Sequence, residues 1–340
     1  MRQVIMTSPG TIEDREIPPP TPGLGEVLLR VKRIGVCGSD IHVWHGEHPF
    51  TPYPVVQGHE FSAEVEAVGR GVTRAKPGQR VTAWPQETCG KCNPCRRGDY
   101  HICDELKVRG FQAPGCAQDF FLVEEEKVVV FPDSLSFDQG ALIEPASVAA
   151  HSTNRARDLT GHNVAVFGAG TIGNLVAQAA RCRGAAKVLI TDLSDFRLEK
   201  ALQAGIDVAC NPAKRNVGDA CRDAFGEAGF DVAFEAVGAE AALDDAIQNI
   251  QKGGDIVVLG VFGGRPQVDM SVVGDREIRL IGTLMYQQAD YEQAVEWMAS
   301  GQMMTDPLVT SHFPMEQYED AYRFIEAQAD KTLKVVIDVD

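Results

Sequence analysis

An α/β fold with a doubly wound parallel sheet, preceded by a β-rich first half, is what this sequence predicts. Three observations carry that expectation. From Asn163 onward, short apolar strands alternate with amphipathic helical segments. A glycine-rich turn, Gly168-Ala169-Gly170-Thr171-Ile172-Gly173, stands where the first of those strands passes into the first helix. The 340 residues exceed one simple core and suit two domains.

In the first half, Val27 to Val36 reads as a strand after the turn-rich segment Pro18 to Gly25. Phe61 to Val68 and Gln79 to Ala83 are two more, with Lys76-Pro77-Gly78 as the turn between them. Asp119 to Val123 and Lys127 to Phe131 look like a further pair. The character changes near Glu144. Beyond it the strands are Asn163 to Phe167, Lys187 to Thr191, Asp231 to Glu235 and Asp255 to Gly260, with weaker ones at Ile206 to Cys210 and Ile278 to Gly282. Thr171 to Arg183, Asp195 to Ala204 and Ala241 to Gln251 carry apolar residues at helical spacing. Crossovers long enough to hold a helix permit parallel pairing. The tail predicts helices near Tyr291 to Ser300 and Met315 to Ala329. A final strand, Leu333 to Val339, has no evident place in the parallel sheet.

Composition narrows the function. The formal net charge of -16 is spread along the chain and repels nucleic acid and anionic membranes. No apolar run is long enough to span a bilayer, and Met1 to Gly10 lacks a secretory pattern, so the expected location is the cytoplasm. Nine cysteines in such a chain argue against a disulfide framework.

The glycine turn suggests a dinucleotide. Gly168 permits the tight turn, Gly170 lets the backbone approach a pyrophosphate, and Gly173 lets the helix pack closely. Thr171 and Ile172 open the helix, whose N-terminus offers free N–H groups to phosphate. Asp192, about 20 residues on, is placed to bond the adenosine ribose and to repel a 2′-phosphate, which favours NAD. Arg197 follows, placed to stack on adenine or to serve a 2′-phosphate. Val237, Gly260 and Val261 stand at later strand ends and complete the candidate cofactor set.

Two metal sites are expected. Cys89, Cys92, Cys95 and Cys103 give C-x2-C-x2-C-x7-C, four thiolates able to close a structural zinc tetrahedron. Cys37, His59, Glu60 and Glu144 are a looser set by spacing alone. Three ligands of these types would leave zinc an open position, where an alcohol loses its proton near neutral pH.

Gly35-Val-Cys37-Gly-Ser39-Asp-Ile-His42, Gly58-His59-Glu60, the four-cysteine segment, Leu142-Ile-Glu144-Pro145, the glycine turn and Thr191-Asp192-Leu-Ser appear in one order along almost the whole chain. In that order they resemble the zinc-containing medium-chain dehydrogenase/reductase superfamily, and most nearly its polyol (sorbitol-like) branch. The resemblance implies a GroES-like, β-rich catalytic domain built from residues 1–148 and 286–340. A Rossmann NAD-binding domain, 149–285, is inserted between them, with substrate and nicotinamide in the cleft. It implies two zinc ions per chain and a homodimer or homotetramer paired through the Rossmann sheet edge. Cys37 and His59 are implied as catalytic zinc ligands, with Glu60 or Glu144 as the third and the two carboxylates exchanging. Ser39 is implied as proton acceptor and His42 as the relay to solvent. Asp40 reads as structural, and His45, His48 and His101 as surface residues.

The pattern departs from sorbitol-type enzymes twice. Val43 stands where a Tyr is common, and Met285 precedes Tyr286 where an Arg is common. Both changes remove polar contacts to a long polyol and turn attention to shorter diols, cyclic polyols, aldonates or hydroxy amino acids. The expected function is NAD-linked oxidation of a secondary alcohol to a ketone. The alternatives are a threonine-type dehydrogenase, a 2,3-diol or primary alcohol dehydrogenase, and a catalytically silent nucleotide-binding regulator.

Overall fold

The computed structural model describes residues 1–339, which form two compact units. The first comprises Met1–Glu144, Gln287–Val295 and the chain from Val309 onward. The second comprises Pro145–Tyr286 and Glu296–Leu308. Among the described residues no helix is long and apolar enough to cross a membrane.

The first unit is built on a seven-stranded sheet. Its strands run in the order Val309–Pro314, Lys334–Asp338, Glu26–Val36, Glu60–Val68, Arg80–Ala83, Val128–Val130, and Phe120–Glu124 also pairs with Glu26–Val36. The long strand Glu26–Val36 organises the sheet. Val27, Leu29 and Val31 are buried at a period of two. A register shift between Val31 and Arg33 then changes the phase, so that Ile34 and Val36 continue the core. The strand Lys334–Asp338 finds its place here, antiparallel to Glu26–Val36 with Val335 opposite Val36.

The strands expected near Asp119 to Val123 and Lys127 to Phe131 form as Phe120–Glu124 and Val128–Val130, but they are not neighbours in the sheet. The first lies on Glu26–Val36 and the second on Arg80–Ala83. The connection Glu125–Lys127 is a 3-10 turn pinned elsewhere: the Glu125 N–H donates to Gly25 O at 2.9 Å, and the Glu125 carboxylate accepts the Thr73 and Arg74 N–H groups. That anchoring carries the chain across to the far edge instead of folding it back as a hairpin.

The second unit is a six-stranded parallel sheet in the order Val208–Cys210, Lys187–Thr191, Asn163–Phe167, Val232–Glu235, Asp255–Val258, Arg279–Gly282. The inner strands are buried on both faces except at end residues such as Asn163, Lys187 and Val258, as expected when helices cover both faces. The order reverses between Asn163–Phe167 and Val232–Glu235, and ligands of such sheets bind beyond the strand ends at that point.

Candidate active site

Cys37 follows the central strand Glu26–Val36 and caps the short helix Gly38–Trp44, its N–H donating to Asp40 Oδ2 at 2.9 Å. His59 and Glu60 enter at the start of the neighbouring strand, and Gly35 lies opposite Glu60. A Cβ on Gly35 would stand 2.5 Å from Glu60 Oε2, so the bare glycine is what admits this carboxylate. Ligand atoms of Cys37, His59 and Glu60 all lie within 4.8 Å of one another. Glu144, in the first turn of the helix Ile143–Arg155, is not in that trio. It is buried and adds to the negative field on His59.

Buried charged groups surround this trio. Burial alone pushes the His59 imidazole down, but Asp40, Cys37 and Glu144 together hold it well above its usual range. Asp40 Oδ1 faces His59 Nδ1 at 3.6 Å, and that buried nitrogen has no hydrogen-bond partner. Burial raises Asp40 itself. Glu60 is ion-paired with buried Lys334, whose Nζ also donates to Val36 O at 3.1 Å. A cysteine sulfur, an imidazole and a carboxylate crowded within 4.8 Å of one another are a donor set that a divalent cation satisfies, so the residues present fit zinc.

Ser39 and His42 lie three apart on the helix Gly38–Trp44, which places them on one face. Ser39 is half-buried, and His42 is exposed with Nδ1 3.6 Å from Glu47 Oε2. Two of the expected surface histidines are not surface residues. His101 is buried, its Nδ1 3.0 Å from Gln287 Nε2, because the lobe folds it under. His48 is half-buried against the Phe111 ring.

Cys89, Cys92, Cys95 and Cys103 form the second cluster, with all four sulfurs within 4.8 Å of one another and no disulfide among them. The N–H groups of Cys89 and Glu105 point at Cys103 Sγ, each at 3.3 Å, and that of Cys92 at Cys89 Sγ at 3.4 Å. Backbone N–H groups of Cys95 and Asp104 draw the Cys92 thiol down to about 7. Burial, with Cys92 and Cys103 beside it, pushes Cys95 up to about 12. Four sulfurs without another donor fit a structural zinc ion.

In the second unit Gly168 has φ +102°. A Cβ on Gly173 would lie 1.8 Å from Gly168 O, so close packing of turn and helix requires glycine there. Gly170 caps the helix Thr171–Cys182 without a side-chain hydrogen bond. Those features fit a pyrophosphate. Asp192 Oδ2 accepts the Ala169 N–H at 2.8 Å, which ties the carboxylate to the turn, and Arg197 Nη1 stands 4.0 Å away. Val237 and Val261 are exposed apolar residues at the strand ends.

Sequence reasoning missed Glu235. This fully buried carboxylate accepts the Val237 and Gly238 N–H groups at 2.9 and 2.8 Å, while its backbone carbonyl accepts those of Leu259 and Gly260. It thereby ties together two turns that carry candidate cofactor residues. A lone acidic residue inside the apolar run Val232-Ala-Phe-Glu235-Ala-Val237 was the available signal.

A GroES-like unit with a clustered Cys/His/carboxylate set, together with a Rossmann unit, defines a zinc-dependent alcohol-oxidising enzyme class. Residues 23–133 match the alcohol dehydrogenase GroES-like domain, and residues 171–300 match the zinc-binding dehydrogenase family. The chain is 34% identical over 342 residues to an L-threonine 3-dehydrogenase of Saccharopolyspora erythraea, covering 99% of each. It is 31% identical over 343 residues to a sorbitol dehydrogenase of Bacillus subtilis, covering 99% of this chain and 97% of that protein. The solved 2R,3R-butanediol dehydrogenase from Bacillus subtilis superposes with a TM-score of 0.92 at 28% identity, covering 100% of this chain and 99% of that one. The chain belongs to the zinc-containing medium-chain dehydrogenase/reductase superfamily and is an oxidoreductase of its alcohol and polyol dehydrogenase class. Zinc and a nicotinamide dinucleotide are the cofactors of that class.

Proposed function

We propose that this enzyme oxidises a secondary polyhydroxy alcohol, of the polyol, sugar or cyclitol kind, to a ketone with NAD as acceptor. The observation that carries the reading is the clustering of half-buried Cys37 with buried His59 and Glu60, with buried Glu144 at hand as the alternative carboxylate. When bound there, zinc supplies a Lewis acid that acidifies the substrate hydroxyl. NAD supplies the hydride acceptor.

The chain's own residues do the rest. Cys37 and His59 hold the metal, and one of Glu60 and Glu144 completes the set. Asp40 fixes the ring of His59 from its Nδ1 side. Ser39 accepts the hydroxyl proton, and exposed His42 delivers it to water. The backbone of Gly168 to Gly173 cradles the pyrophosphate. Asp192 repels a 2′-phosphate and so selects NAD over NADP. Cys89, Cys92, Cys95 and Cys103 hold the structural zinc. Self-association through the edge strand Arg279–Gly282, to a dimer or tetramer, belongs to the same proposal and is read by sedimentation.

The test is NAD reduction across polyols, cyclitols, aldonates, diols, threonine and simple alcohols, with wild type and a folded Cys37→Ser variant. A rate on one polyhydroxy class, abolished in Cys37→Ser along with one equivalent of zinc, is the expected result. A rate on threonine alone would move the enzyme to the class of its L-threonine 3-dehydrogenase relatives. A rate with NADP alone would overturn the role given to Asp192.

A further inference from the structure

The segment His45 to Thr51 follows the helix that carries Ser39 and His42, and none of its side chains has a part in the chemistry above. It is nevertheless anchored. The Glu47 and His48 N–H groups donate to His42 O at 2.8 and 3.2 Å. Gln112 Nε2 donates to Phe50 O at 3.3 Å. His48 lies flat on Phe111, ring centroids 4.8 Å apart and planes 14° from parallel. The same Phe111 ring packs on His59, again at 4.8 Å between centroids. His48 and the metal-binding imidazole are therefore separated by one aromatic ring.

The His48 ring is also oriented. Its Nδ1 is bonded to Thr51 Oγ1 at 2.7 Å, and among the described residues its Nε2 has no partner. Partial burial, with His42 and His59 nearby, lowers its pKa, so the ring is neutral in neutral solution. A neutral imidazole with one nitrogen engaged by a hydroxyl presents the other as a hydrogen-bonding group of fixed direction. Val43, at the common Tyr position, is fully buried and has no polar group to offer. His48, five residues further along the chain, has one.

We propose that His48 is a specificity-determining residue that hydrogen-bonds a substrate hydroxyl a few carbons away from the carbinol, so that the site takes polyhydroxy alcohols in preference to monohydric ones. This rests on the reading of Cys37, His59 and Glu60 as the substrate-binding metal site. Thr51 sets the ring's rotation, and Phe111 sets its distance from the metal ligands.

The experiment compares kcat/KM for sorbitol, xylitol and myo-inositol with kcat/KM for 2-butanol and cyclohexanol. It uses the zinc-loaded wild type, His48→Phe and His48→Asn. His48→Phe keeps a flat ring for Phe111 and removes both nitrogens. His48→Asn restores a polar group. The expected result is that His48→Phe lowers the ratio of polyol to monohydric kcat/KM by about tenfold or more, through KM, and that His48→Asn recovers part of it. Equal losses on both substrate classes, or an unchanged ratio, would overturn the role of His48 while leaving the enzyme's function standing. A wild type that oxidises 2-butanol or threonine and no polyol would overturn the functional reading, and this inference with it.

Discussion

Lys334 shows what a single residue contributes here and how little of it the sequence reveals. Its ammonium is buried against the Glu60 carboxylate, and both groups are almost inaccessible. Burial pulls the lysine pKa down, but Glu60 and Cys37 pull it further up, so its net shift is upward. Removing one member of a buried pair leaves the other uncompensated, at about 3 kcal/mol or more. Lys334→Met should therefore lower the stability of the metal-free protein by about that much. Zinc should restore part of the loss, since it supplies the positive charge that Glu60 then lacks. Denaturant titrations in chelator and in zinc check this, and an equal loss under both conditions would break the link between Lys334 and the metal. Nothing in the sequence joins positions so far apart. Cys37, His59 and Glu60 could be picked out because they stand in recognisable local patterns. Lys334 is brought to them by the antiparallel pairing of the strand Lys334–Asp338 with Glu26–Val36, which sets Val335 opposite Val36.

The elements divide in the same way. The parallel strands were legible because each is a short apolar run followed by a helix of regular period. The hairpin Arg2–Ser8 and Thr11–Glu16 was not, since its second strand is polar and largely exposed and so carries no core pattern. The helix Ile143–Arg155 was missed because its acidic and proline residues hide its period. The cysteine lobe is the opposite case: it has little regular structure, yet its spacing announced it. Its helix is four residues long and has no buried side chain, so a zinc ion on the four sulfurs would carry much of its order. Cys95→Ser should lose one zinc per chain and leave the lobe, around residues 86–108, exchanging its amide hydrogens freely. The six-stranded sheet should keep its protection. Metal analysis with hydrogen exchange distinguishes this from a general unfolding, in which the sheet amides would open as well. In the second unit, Gly173→Ala would push a Cβ to 1.8 Å from Gly168 O and force the glycine turn off its helix. Weaker NAD binding, read by quenching of protein fluorescence, is the expected outcome. Unchanged binding would show that the turn can give way without cost.

At the scale of the molecule, stability against pH is set by carboxylates of two opposed kinds. Burial raises Asp40 and Glu235, so they favour folding less as pH rises through their folded-state values. Asp255 is the other kind. Burial works against its charge, but Arg157 and Arg279 overcome that and lower its pKa. The Arg157 backbone N–H donates to Asp255 Oδ2 at 2.9 Å, and Arg279 Nε donates to Oδ1 at 2.6 Å. One carboxylate thus joins the segment before Asn163–Phe167 to the edge strand Arg279–Gly282. Because its folded-state pKa lies below the unfolded value of about 4, its contribution is complete above that pH. The contribution is lost as pH falls through the lowered folded value. Asp255→Asn keeps the size and removes the charge, so it should cost about 2 kcal/mol at pH 7. The gap between variant and wild type should narrow as pH falls below about 4 and close as pH passes through the lowered folded value, where the folded carboxylate takes up its proton. Urea titrations at a series of pH values measure both curves. A gap that stayed constant down to pH 3 would mean that shape, and not charge, is what Asp255 contributes.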